Sequence, residues 1–596
     1  MKLSRRSLGA ILSLMICLLF VVSVYGDGGV RDLTNVPIDH WSYGFLERCE
    51  AKGFLRRLAD GIKPFSRAEM RIALRRIQNV RDKLTDTERG ELDLLRREFG
   101  LDDHSFSEGR SRGGRKVLFK RLNRGEPLLQ YASQHGWVGA DFLLRNRYDG
   151  FYGMGRDEVE RIYRNRLGGI VWGEAWDRIG FRIAFLQTRE QGTRNYWIRD
   201  DVLERRIEIP QLKGNLADFH EGMAEIIVMP LENLRIEISK SAASWGPSRI
   251  DNLGLSNNSP TFDMIRLHGQ LGIFKLVSIA GSIRPCPDRP DSPVCAGVID
   301  STMSYIANEI TRAVDREKYL AAHRVEAAVA DWLDIGFHEV VVYGDRGPQL
   351  TYLNPIMFYW AAQSYQGDKD NLMMGIDFDV HPGNGTKFYL SYVVDDLKKL
   401  RIFSDDFANK FSLQAGFLWT DPLHVDDTDF RVDYTRIEPW IYTHKFPINT
   451  FRHFDQSLGH PLGPNAEQWA TTLVHRVNCD FSVDLGFSRI RKGGNLLVDG
   501  EVFNVGGDLH RGWRPGDDRT VKKFLDGNLH MWSTWSVEAH WRIQSQLKLK
   551  LSYRTESGEN VPLPPRWGNN VALQHRTGYG NGSSRNLSVS MHYGHF

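Results

Sequence analysis

Alternation of apolar and polar residues is the feature that most constrains the fold of this chain. Near its end, Leu587, Val589, Met591 and Tyr593 alternate with small or polar residues, and this period of two predicts a β-strand with one apolar face. The pattern runs to the last residues of the chain, where most domains fray because few partners are available. A strand in that place is expected where a sheet closes on itself.

The same alternation recurs through most of the chain after residue 129. In LMMGIDFDV, the apolar residues from Leu372 to Val380 alternate with a set that includes Asp377 and Asp379, so both carboxylates face away from the apolar side. HPGNGT follows, and its Asn384-Gly385 pair predicts a tight hairpin with positive φ angles. Further alternating segments are LRIEIS at 234–239, FSLQAGFLW at 411–419, FSVDLGF at 481–487 and LKLKLSY at 547–553.

The start of the chain predicts export. A basic beginning is followed by the almost wholly apolar residues 8–24, and VYG precedes Asp27 as a cleavage site. We therefore expect a cleaved signal peptide over residues 1–26, with an uncleaved membrane anchor as the alternative. After it, no apolar run reaches the roughly 20 residues that a membrane helix needs.

Charge and composition narrow the class of protein. The 77 basic and 74 acidic residues nearly balance, which argues against a nucleic-acid binder. The mean hydropathy is negative although 16 residues are Trp. Alternating strands with this composition are typical of a transmembrane β-barrel, whose lipid face uses only every second residue. In lipid, only a closed barrel satisfies the hydrogen bonds of every strand edge.

The length of the alternating region limits the size of such a barrel. At roughly 22–30 residues per strand with its loop, residues 129–596 provide about 16–20 strands. A soluble β-sandwich or propeller is the alternative, and no fixed-period repeat supports a propeller.

Residues 31–105 follow a helical pattern and are expected to form a small periplasmic domain of three helices. Ser66 with Glu69, and Thr85 with Glu88, are spaced as capping boxes, in which each side chain satisfies a backbone N–H of the other. Residues 106–128 then read as a basic linker, because the stretch 108–126 holds seven basic and two acidic residues. Contact with anionic lipid heads or an acidic polymer is its alternative role.

The cysteines and motifs give few signs of chemistry. Cys286 and Cys295 flank the Pro-rich PDRPDSPV, and this spacing predicts a disulfide within one loop. No CxxC, HExxH or GxSxG motif occurs, so we predict no metal, no cofactor and no enzyme activity.

One group of candidate sugar-binding residues lies in SWGPSRIDNLGLSNNSPTFD. An indole stacks on a sugar ring, and amide, carboxylate and guanidinium groups bond to hydroxyl or acidic groups. The alternative for the tryptophan is an aromatic-belt position beside a loop that plugs the barrel. The candidates are Trp245, Arg249, Asp251, Asn257 and Asn258.

A second group of candidates flanks NPIMFYWAAQSYQ at 354–366. The apolar centre of this segment predicts a short helix, or a loop folded into the lumen that holds the fold together. Contact with a polymer is the alternative. The polar candidates on either side are Asp345, Arg346, Asp370 and Asn371.

Three segments carry a resemblance to a known family. Residues 244–267, residues 344–371 (GDRGPQLTYLNPIMFYWAAQSYQGDKDN) and LGHPLGPNAEQW at 458–469 resemble the signature segments of the Wzi capsule-assembly family. The stretch VPIDHWSYGFLERCEAKGFL is similar to the amino-terminal helical segment of that family, and to the S-layer-homology type of wall-binding module. The resemblance implies an outer-membrane barrel of about 18 strands with periplasmic helices, which attaches or organises capsular polysaccharide without catalysis. At Phe596 the chain differs from the usual terminal signal of such barrels, because this residue is out of phase with the apolar residues before it.

These observations combine into one prediction of fold and function. We expect a mainly β protein, with a closed antiparallel barrel over residues 129–596, in the outer membrane of a Gram-negative-type bacterium. It would bind, anchor or help assemble capsular or surface polysaccharide, contact outer-membrane lipids, and reach cell-wall polymer through its helices. A porin or substrate-selective channel is the first alternative. A barrel-embedded hydrolase is the second, favoured if Ser, His and a carboxylate converge at one rim.

Overall fold

A computed structural model gives the architecture of the chain. It describes residues 33–101, 115–118, 127–153, 159–193, 211–285, 297–305, 310–396, 406–407, 409–454, 456–499, 501–513, 521–544, 546–562 and 579–594. The predicted signal peptide and most of the predicted basic linker lie outside these residues. Within that linker, the described strand Arg115–Leu118 pairs with Leu129–Ser133 and so joins the sheet.

Eighteen antiparallel strands form one closed barrel, which confirms the predicted fold class. The short strands Arg115–Leu118, Leu129–Ser133 and Gln211–Lys213 extend its wall. The barrel strands are β1 Gly136–Gly153, β2 Glu160–Ala175, β3 Ile179–Gly192, β4 Leu216–Leu231, β5 Leu234–Ser241, β6 Phe262–Leu271, β7 Phe274–Ser282, β8 Lys318–Ala330, β9 Leu333–Gly344, β10 Asn371–Val380, β11 Thr386–Asp396, β12 Lys410–Thr420, β13 Thr428–Ile437, β14 Ala466–Asn478, β15 Phe481–Gly494, β16 Asn528–Gln544, β17 Leu547–Pro562 and β18 Tyr579–Tyr593.

The strand near the chain end closes the barrel, as its alternation predicts. β18 pairs with β1 from Ser584 opposite Gly153 to Tyr593 opposite Leu144. The short strand Leu129–Ser133 then continues along the same edge of β1. Phe596, whose phase differs from that of the strand, lies outside the described residues.

The alternation separates an apolar outer wall from a polar inner wall. In β10, Asp377 and Asp379 point into the lumen and are buried there, whereas Ile376 points outward. Large apolar side chains cover the outer wall and are exposed, as lipid contact requires. Examples are Ile183, Phe185, Ile226, Ile265, Trp535 and Leu551.

The turn after β10 differs from the hairpin that its sequence predicts. Gly383 and Gly385 take the positive φ angles, 82° and 86°, rather than the Asn384-Gly385 pair. The connection spans residues 381–385, so a two-residue turn is not needed. A Cβ on Gly383 would lie 3.2 Å from the Cα of Gly53, so glycine also permits a close approach of the helical domain.

The two rims of the barrel are unlike each other. At one rim, short turns such as 232–233, 272–273 and 331–332 join consecutive strands. At the other, long connections such as 283–317 and 438–465 do so. Transmembrane barrels characteristically have one rim of short turns and one of longer loops.

Residues 33–101 form a helical domain, called the plug below. Its helices are α1 Ser42–Ala51, α2 Arg67–Gln78 and α3 Asp86–Glu98, with a 3₁₀ turn at Arg81–Lys83. Both predicted capping boxes are confirmed, at the starts of α2 and α3. The three helices pack around their own apolar core, which includes Leu46, Met70 and Leu92.

The plug sits in the short-turn mouth of the barrel. It contacts lumen-facing residues from β3 round to β16. The Asn35 carbonyl accepts from Arg182 of β3 at 3.2 Å, and Glu69 pairs with Lys275 of β7 at 2.8 Å. On the far side, the guanidinium of Arg542 in β16 lies 4.2 Å from a ring centre of Trp41.

The long connections carry further short elements. These are helices α4 Leu350–Leu353 and α5 Tyr359–Tyr365, 3₁₀ turns Pro422–His424 and Pro447–Asn449, and strand pairs Ile62–Lys63 with Ser244–Trp245, Ile299–Tyr305 with Ile310–Asp315, Arg452–His453 with Gln456–Ser457, and Leu496–Val498 with Glu501–Phe503. Within the part of the chain that the structure describes, no helix is both long and apolar enough to cross a membrane.

Candidate functional site

A buried ionic cluster locks the plug to the barrel wall. Arg48 donates to Glu88 within the plug at 2.7 Å and to Asp429 of β13 at 2.5 Å, and it also pairs with Asp421 in the β12–β13 turn. Lys52 lies 2.7 Å from Glu88 and 2.9 Å from Asp421. Burial lowers the pKa of the Arg48 guanidinium, but the adjoining carboxylates outweigh burial and raise this pKa above its ordinary value. Arg48 therefore stays charged and holds the plug against the barrel wall.

The connection 242–261 folds back into the lumen and meets the plug. Its Ser244–Trp245 segment pairs antiparallel with Ile62–Lys63. The plug carries Ile62–Lys63 inward from the mouth, past β8, where the Gly61 N–H donates to Glu326 at 2.9 Å. Part of the lumen is thus filled from both ends.

A second connection, 438–465, packs against the first inside the lumen. The Tyr442 hydroxyl donates to the Leu253 carbonyl at 2.7 Å, and the Ser256 N–H donates to the Leu458 carbonyl at 2.8 Å. Two of the three family-like segments therefore lie side by side. They form one apolar cluster with inward residues of β6 to β10, among them Met264, Ile279, Ala322, Val340 and Met373.

In the first group of predicted site residues, some side chains are buried and support the fold, whereas others are exposed. Trp245 is 1% exposed within the apolar cluster, so its ring faces are covered by protein in this structure. Asn258 is also buried and donates to the Ser457 carbonyl at 2.9 Å. Asp251 accepts from Ser256 at 2.9 Å. The Arg249 side chain is 43% exposed, and its Nη1 lies 3.8 Å from Glu47 of the plug.

The lumen wall formed by β14 to β18 and β1 to β4 carries many polar side chains, together with an apolar cluster on β1 to β3 that includes Leu143, Ile170 and Leu186. Next to the plug, a cavity of about 190 Å³ is lined by Arg145, Arg166 and Arg182, together with the predicted site residue Asn257. Farther round the wall, on β15 to β18, many inward side chains are polar or charged and partly exposed. They include Asp484, Ser488, Glu538, His540, Lys550, Arg554 and Asn586.

Sequence reasoning missed Trp532, a partly exposed aromatic residue of this wall. Trp532 points into the lumen close to the long-loop end of β16 and is partly exposed. The signal was present in MWSTWSVEAHW, where Trp535, Val537 and Trp541 share the outward phase and Trp532 takes the inward one. An inward indole among hydroxyl and charged groups suits a sugar ring.

The apolar insert after β9 lies on the outer wall of the barrel, not in the lumen. Tyr352 and Tyr359 of α4 and α5 pack against Tyr343 and other outward residues of β8 to β10. Outward Glu339 accepts from the N–H groups of Tyr359 at 2.8 Å and Trp360 at 3.1 Å. The expectation of an inward-folded loop is therefore wrong, because a buried carboxylate on the outer wall binds the start of α5 there.

The second group of predicted site residues lies where this insert leaves the rim. Asp345 pairs with Arg316 and is 42% exposed, and Arg346 pairs with Asp370. Asp370 is buried and also accepts from the Tyr352 hydroxyl at 2.7 Å. The Asn371 amide is buried and donates to the Asn449 carbonyl at 3.0 Å. Asp345 and Arg346 face solvent, whereas Asp370 and Asn371 hold the connections in place.

A serine, a histidine and a carboxylate do stand together on the outer wall. Ser278, His323 and Glu339 are neighbours across β7, β8 and β9, and His323 Nε2 lies 2.9 Å from Glu339. His323 Nδ1 is buried and has no hydrogen-bond partner in the described part of the chain, so Ser278 is not linked to it. The ring of Tyr359 covers the imidazole at 4.2 Å. Without a serine–histidine bond, the nucleophile lacks its base.

The structure leaves the predicted disulfide untested. Cys286 and Cys295 lie outside the described residues, and so that bond stays a prediction. Cys49 is buried in the plug and Cys479 is partly exposed in the β14–β15 turn, and both are free thiols.

Comparison with known proteins places this barrel in context. The chain is similar in fold to Wzi of Escherichia coli, an outer membrane protein involved in group 1 capsule assembly that is a carbohydrate-binding β-barrel. Identity is 10% and the TM-score is 0.52, over 93% of this chain and 98% of that one. OpdQ of Pseudomonas aeruginosa matches at 9% identity and a TM-score of 0.39, over 76% and 98% of the two chains. OccAB1 of Acinetobacter baumannii matches at 7% and 0.40, over 77% and 97%.

The sequence itself matches a known family. No curated protein matches the sequence. The family described as capsule assembly protein Wzi matches residues 210–572, a region that runs from before β4 to beyond β17 and includes all three family-like segments. Since this region is more than half of the chain, the protein belongs to the Wzi capsule assembly family.

Proposed function

We propose that this chain is an outer-membrane barrel that binds capsular or surface polysaccharide at its long-loop rim and helps to hold or assemble it without catalysis. The observation that carries the proposal is the asymmetry of the barrel. Buried ion pairs hold the plug in one mouth, while polar lumen side chains and charged loops lie toward the other. Membership of the Wzi family and the carbohydrate binding of the Escherichia coli protein support the same function.

The orientation follows from the rims. Short turns face the periplasm and longer loops face the outside in outer-membrane barrels, so the plug would be periplasmic. Lipid would cover the apolar outer wall. The exposed Arg75 and Arg76 on α2 would be available to acidic cell-wall polymer, a contact that stays a prediction.

The polymer would be held by several weak contacts. Asp345 and Arg346 offer charged groups at the rim, and Trp532 offers an indole within the upper lumen. Arg249 adds an exposed guanidinium deeper inside. Each contact alone is weak, but a repeating polymer occupies many of them at once, so the affinities combine.

Binding can be tested with purified capsular polysaccharide and the full chain in detergent. Asp345→Asn and Trp532→Ala should each weaken binding, whereas Arg56→Ala, a matched change on the short-turn side, should leave it unaltered. Asp345→Asn keeps the size of the side chain, so loss of folding would not explain a weaker interaction. Equal binding by all of these variants and the unaltered chain would exclude the rim and upper lumen as the site.

One cellular and one electrical measurement distinguish an anchoring protein from a porin. Deleting the gene should leave polymer synthesis intact and release polymer into the medium; full retention on the cells would contradict anchoring. In a planar bilayer, the protein should insert with little conductance, because the plug closes the mouth. Large steady currents would instead favour a porin. The unlinked Ser278 and His323 argue against the hydrolase alternative.

A further inference from the structure

Buried carboxylates are crowded at one point of the plug–barrel interface. Glu50 and Asp60 of the plug lie near Asp334 of β9 and Asp379 of β10, and each is more than nine-tenths buried. Lys387 of β11 lies 2.5 Å from Glu50 Oε2, 2.8 Å from Asp379 Oδ2 and 3.6 Å from Asp60. Lys387 thus compensates three carboxylates on one side of the cluster. In the described residues, Asp334 has no Lys or Arg within ion-pair distance.

On the other side of this cluster, His381 points between two carboxylates. Its Nε2 lies 3.7 Å from Glu50 Oε1 and 3.7 Å from Asp334 Oδ2, too far for a hydrogen bond in either case. His381 Nε2, Glu50 Oε1 and Asp334 Oδ1 are all buried, and none has a hydrogen-bond partner among the described residues. Asp334 Oδ2, the oxygen that lies 3.7 Å from His381, accepts from the Ala59 N–H at 3.1 Å. His381 Nε2 and Glu50 Oε1 thus lie unsatisfied beside the Asp334 carboxylate, and buried polar atoms without a partner are costly unless something binds them.

We propose that Glu50, Asp334 and His381 bind a divalent transition-metal ion, for which Zn²⁺ is the best-fitting probe. One imidazole nitrogen and two carboxylate oxygens are ordinary zinc ligands. An ion about 2.1 Å from tetrahedral donors holds those donors roughly 3.4 Å apart. The 3.7 Å separations are close to that spacing, and all three donors lie within 4.8 Å of one another. The ion also adds positive charge beside Asp334, which has no lysine, and beside Glu50, which shares Lys387 with Asp60 and Asp379.

The ligands come from three separate parts of the fold, so the ion links the plug to the wall. Glu50 belongs to α1, Asp334 to β9 and His381 to the β10–β11 turn. The backbone is already joined there, since the Gly385 N–H donates to the Ala51 carbonyl at 2.9 Å. No short motif contains the three ligands, which explains why the sequence predicted no metal. The site is independent of polysaccharide binding.

A comparison group of similar type lies within the polar lumen. His540 Nε2 is 3.3 Å from Asp484 and 3.4 Å from Glu538, but these side chains are partly exposed and Lys550 pairs with Glu538 at 2.7 Å. Water and a lysine can therefore satisfy this group without a metal. His540→Gln is the matched control for His381→Gln.

The test uses the full chain in detergent, without a histidine tag, after removal of metal by a chelator. Zinc is added, excess is dialysed away, and metal is counted by elemental mass spectrometry. The unaltered chain and His540→Gln should each retain one zinc ion, and His381→Gln and Glu50→Gln should retain none. Zinc at about one hundred times its Kd should slow proteolysis of the plug about a hundredfold, because it binds only the docked state.

The number of zinc ions that each protein retains decides the proposal even if a variant folds poorly. An unaltered chain that retains no zinc and shows no protection of the plug would overturn it. Retention by His381→Gln with loss by His540→Gln would assign the metal to the lumen group instead, and would also overturn it. Protection of the unaltered chain with loss of both effects in Glu50→Gln supports a metal link between plug and wall.

Discussion

Trp245 and Ile62 are register partners in a two-stranded sheet inside the barrel. Trp245 enters from the long-loop end and Ile62 enters with the plug, and both side chains are buried in the same apolar cluster. The Gly246 N–H also donates to the Gly61 carbonyl at 2.8 Å. The plug is therefore attached to the inside of the barrel as well as to its mouth.

Trp245→Ala should destabilise the protein by about 3–5 kcal/mol, the usual cost of truncating a buried tryptophan in a packed core. The measurement is denaturant unfolding of the refolded protein, followed by circular dichroism of the β-sheet. Trp176→Ala is the control, since Trp176 is 66% exposed in the β2–β3 turn. Unaltered stability of Trp245→Ala with a loss of polysaccharide binding would reverse the assignment and favour a sugar contact.

Arg48→Ala should open the mouth of the barrel. Glu88, Asp421 and Asp429 would keep their buried or half-buried charges without the guanidinium, and breaking such a network costs about 3–5 kcal/mol. We expect current bursts in planar bilayers where the unaltered protein shows little conductance. Arg56→Ala removes only an exposed pair with Asp331 and should show equally little conductance. If Arg48→Ala conducted as little as Arg56→Ala, contacts other than those of Arg48 would hold the plug in place.

Patterns that depend on neighbouring residues could be predicted from the sequence. The Ser66–Glu69 and Thr85–Glu88 boxes lie within single helices, and the strands follow from a period of two that lipid on one side and polar groups on the other impose. Closure by β18 follows from the same alternation near the chain end. In each case the chemistry and the structure are local.

Contacts between distant segments could not be predicted in this way. The insert of α4 and α5 is apolar whichever wall it covers, and only the position of Glu339 on the outer face decides between them. Trp245 reads equally well as a sugar platform, a belt residue or a core residue. Arg48 and His381 find their carboxylates through the docking of the plug, which no spacing in the sequence encodes.

Glu69 should make docking of the plug sensitive to acid. Burial alone raises the pKa of this carboxyl, but Lys275 and the Ser66 N–H outweigh burial and lower the pKa to about 2. A carboxyl whose pKa is lower in the folded state stabilises that state above its unfolded pKa, and this stabilisation is lost as pH falls through the folded value. The thermal midpoint should therefore fall between about pH 4.5 and pH 2. Glu69→Gln should flatten this part of the profile, and an unchanged slope would exclude Glu69 as its source.

Glu339→Ala should release the insert from the outer wall. The change leaves the N–H groups of Tyr359 and Trp360, and the His323 Nε2, without their acceptor, at about 1–3 kcal/mol for each buried group left unpaired. Amide hydrogen exchange at the start of α5 should accelerate while the strands stay protected. Glu339→Gln keeps one acceptor oxygen, so its exchange rate at the start of α5 should lie between those of Glu339→Ala and the unaltered protein. Leu350→Ala, at a side chain 84% exposed, should change nothing. If the insert were instead held inside the lumen, all three variants would exchange like the unaltered protein, since an outward carboxylate could not reach it.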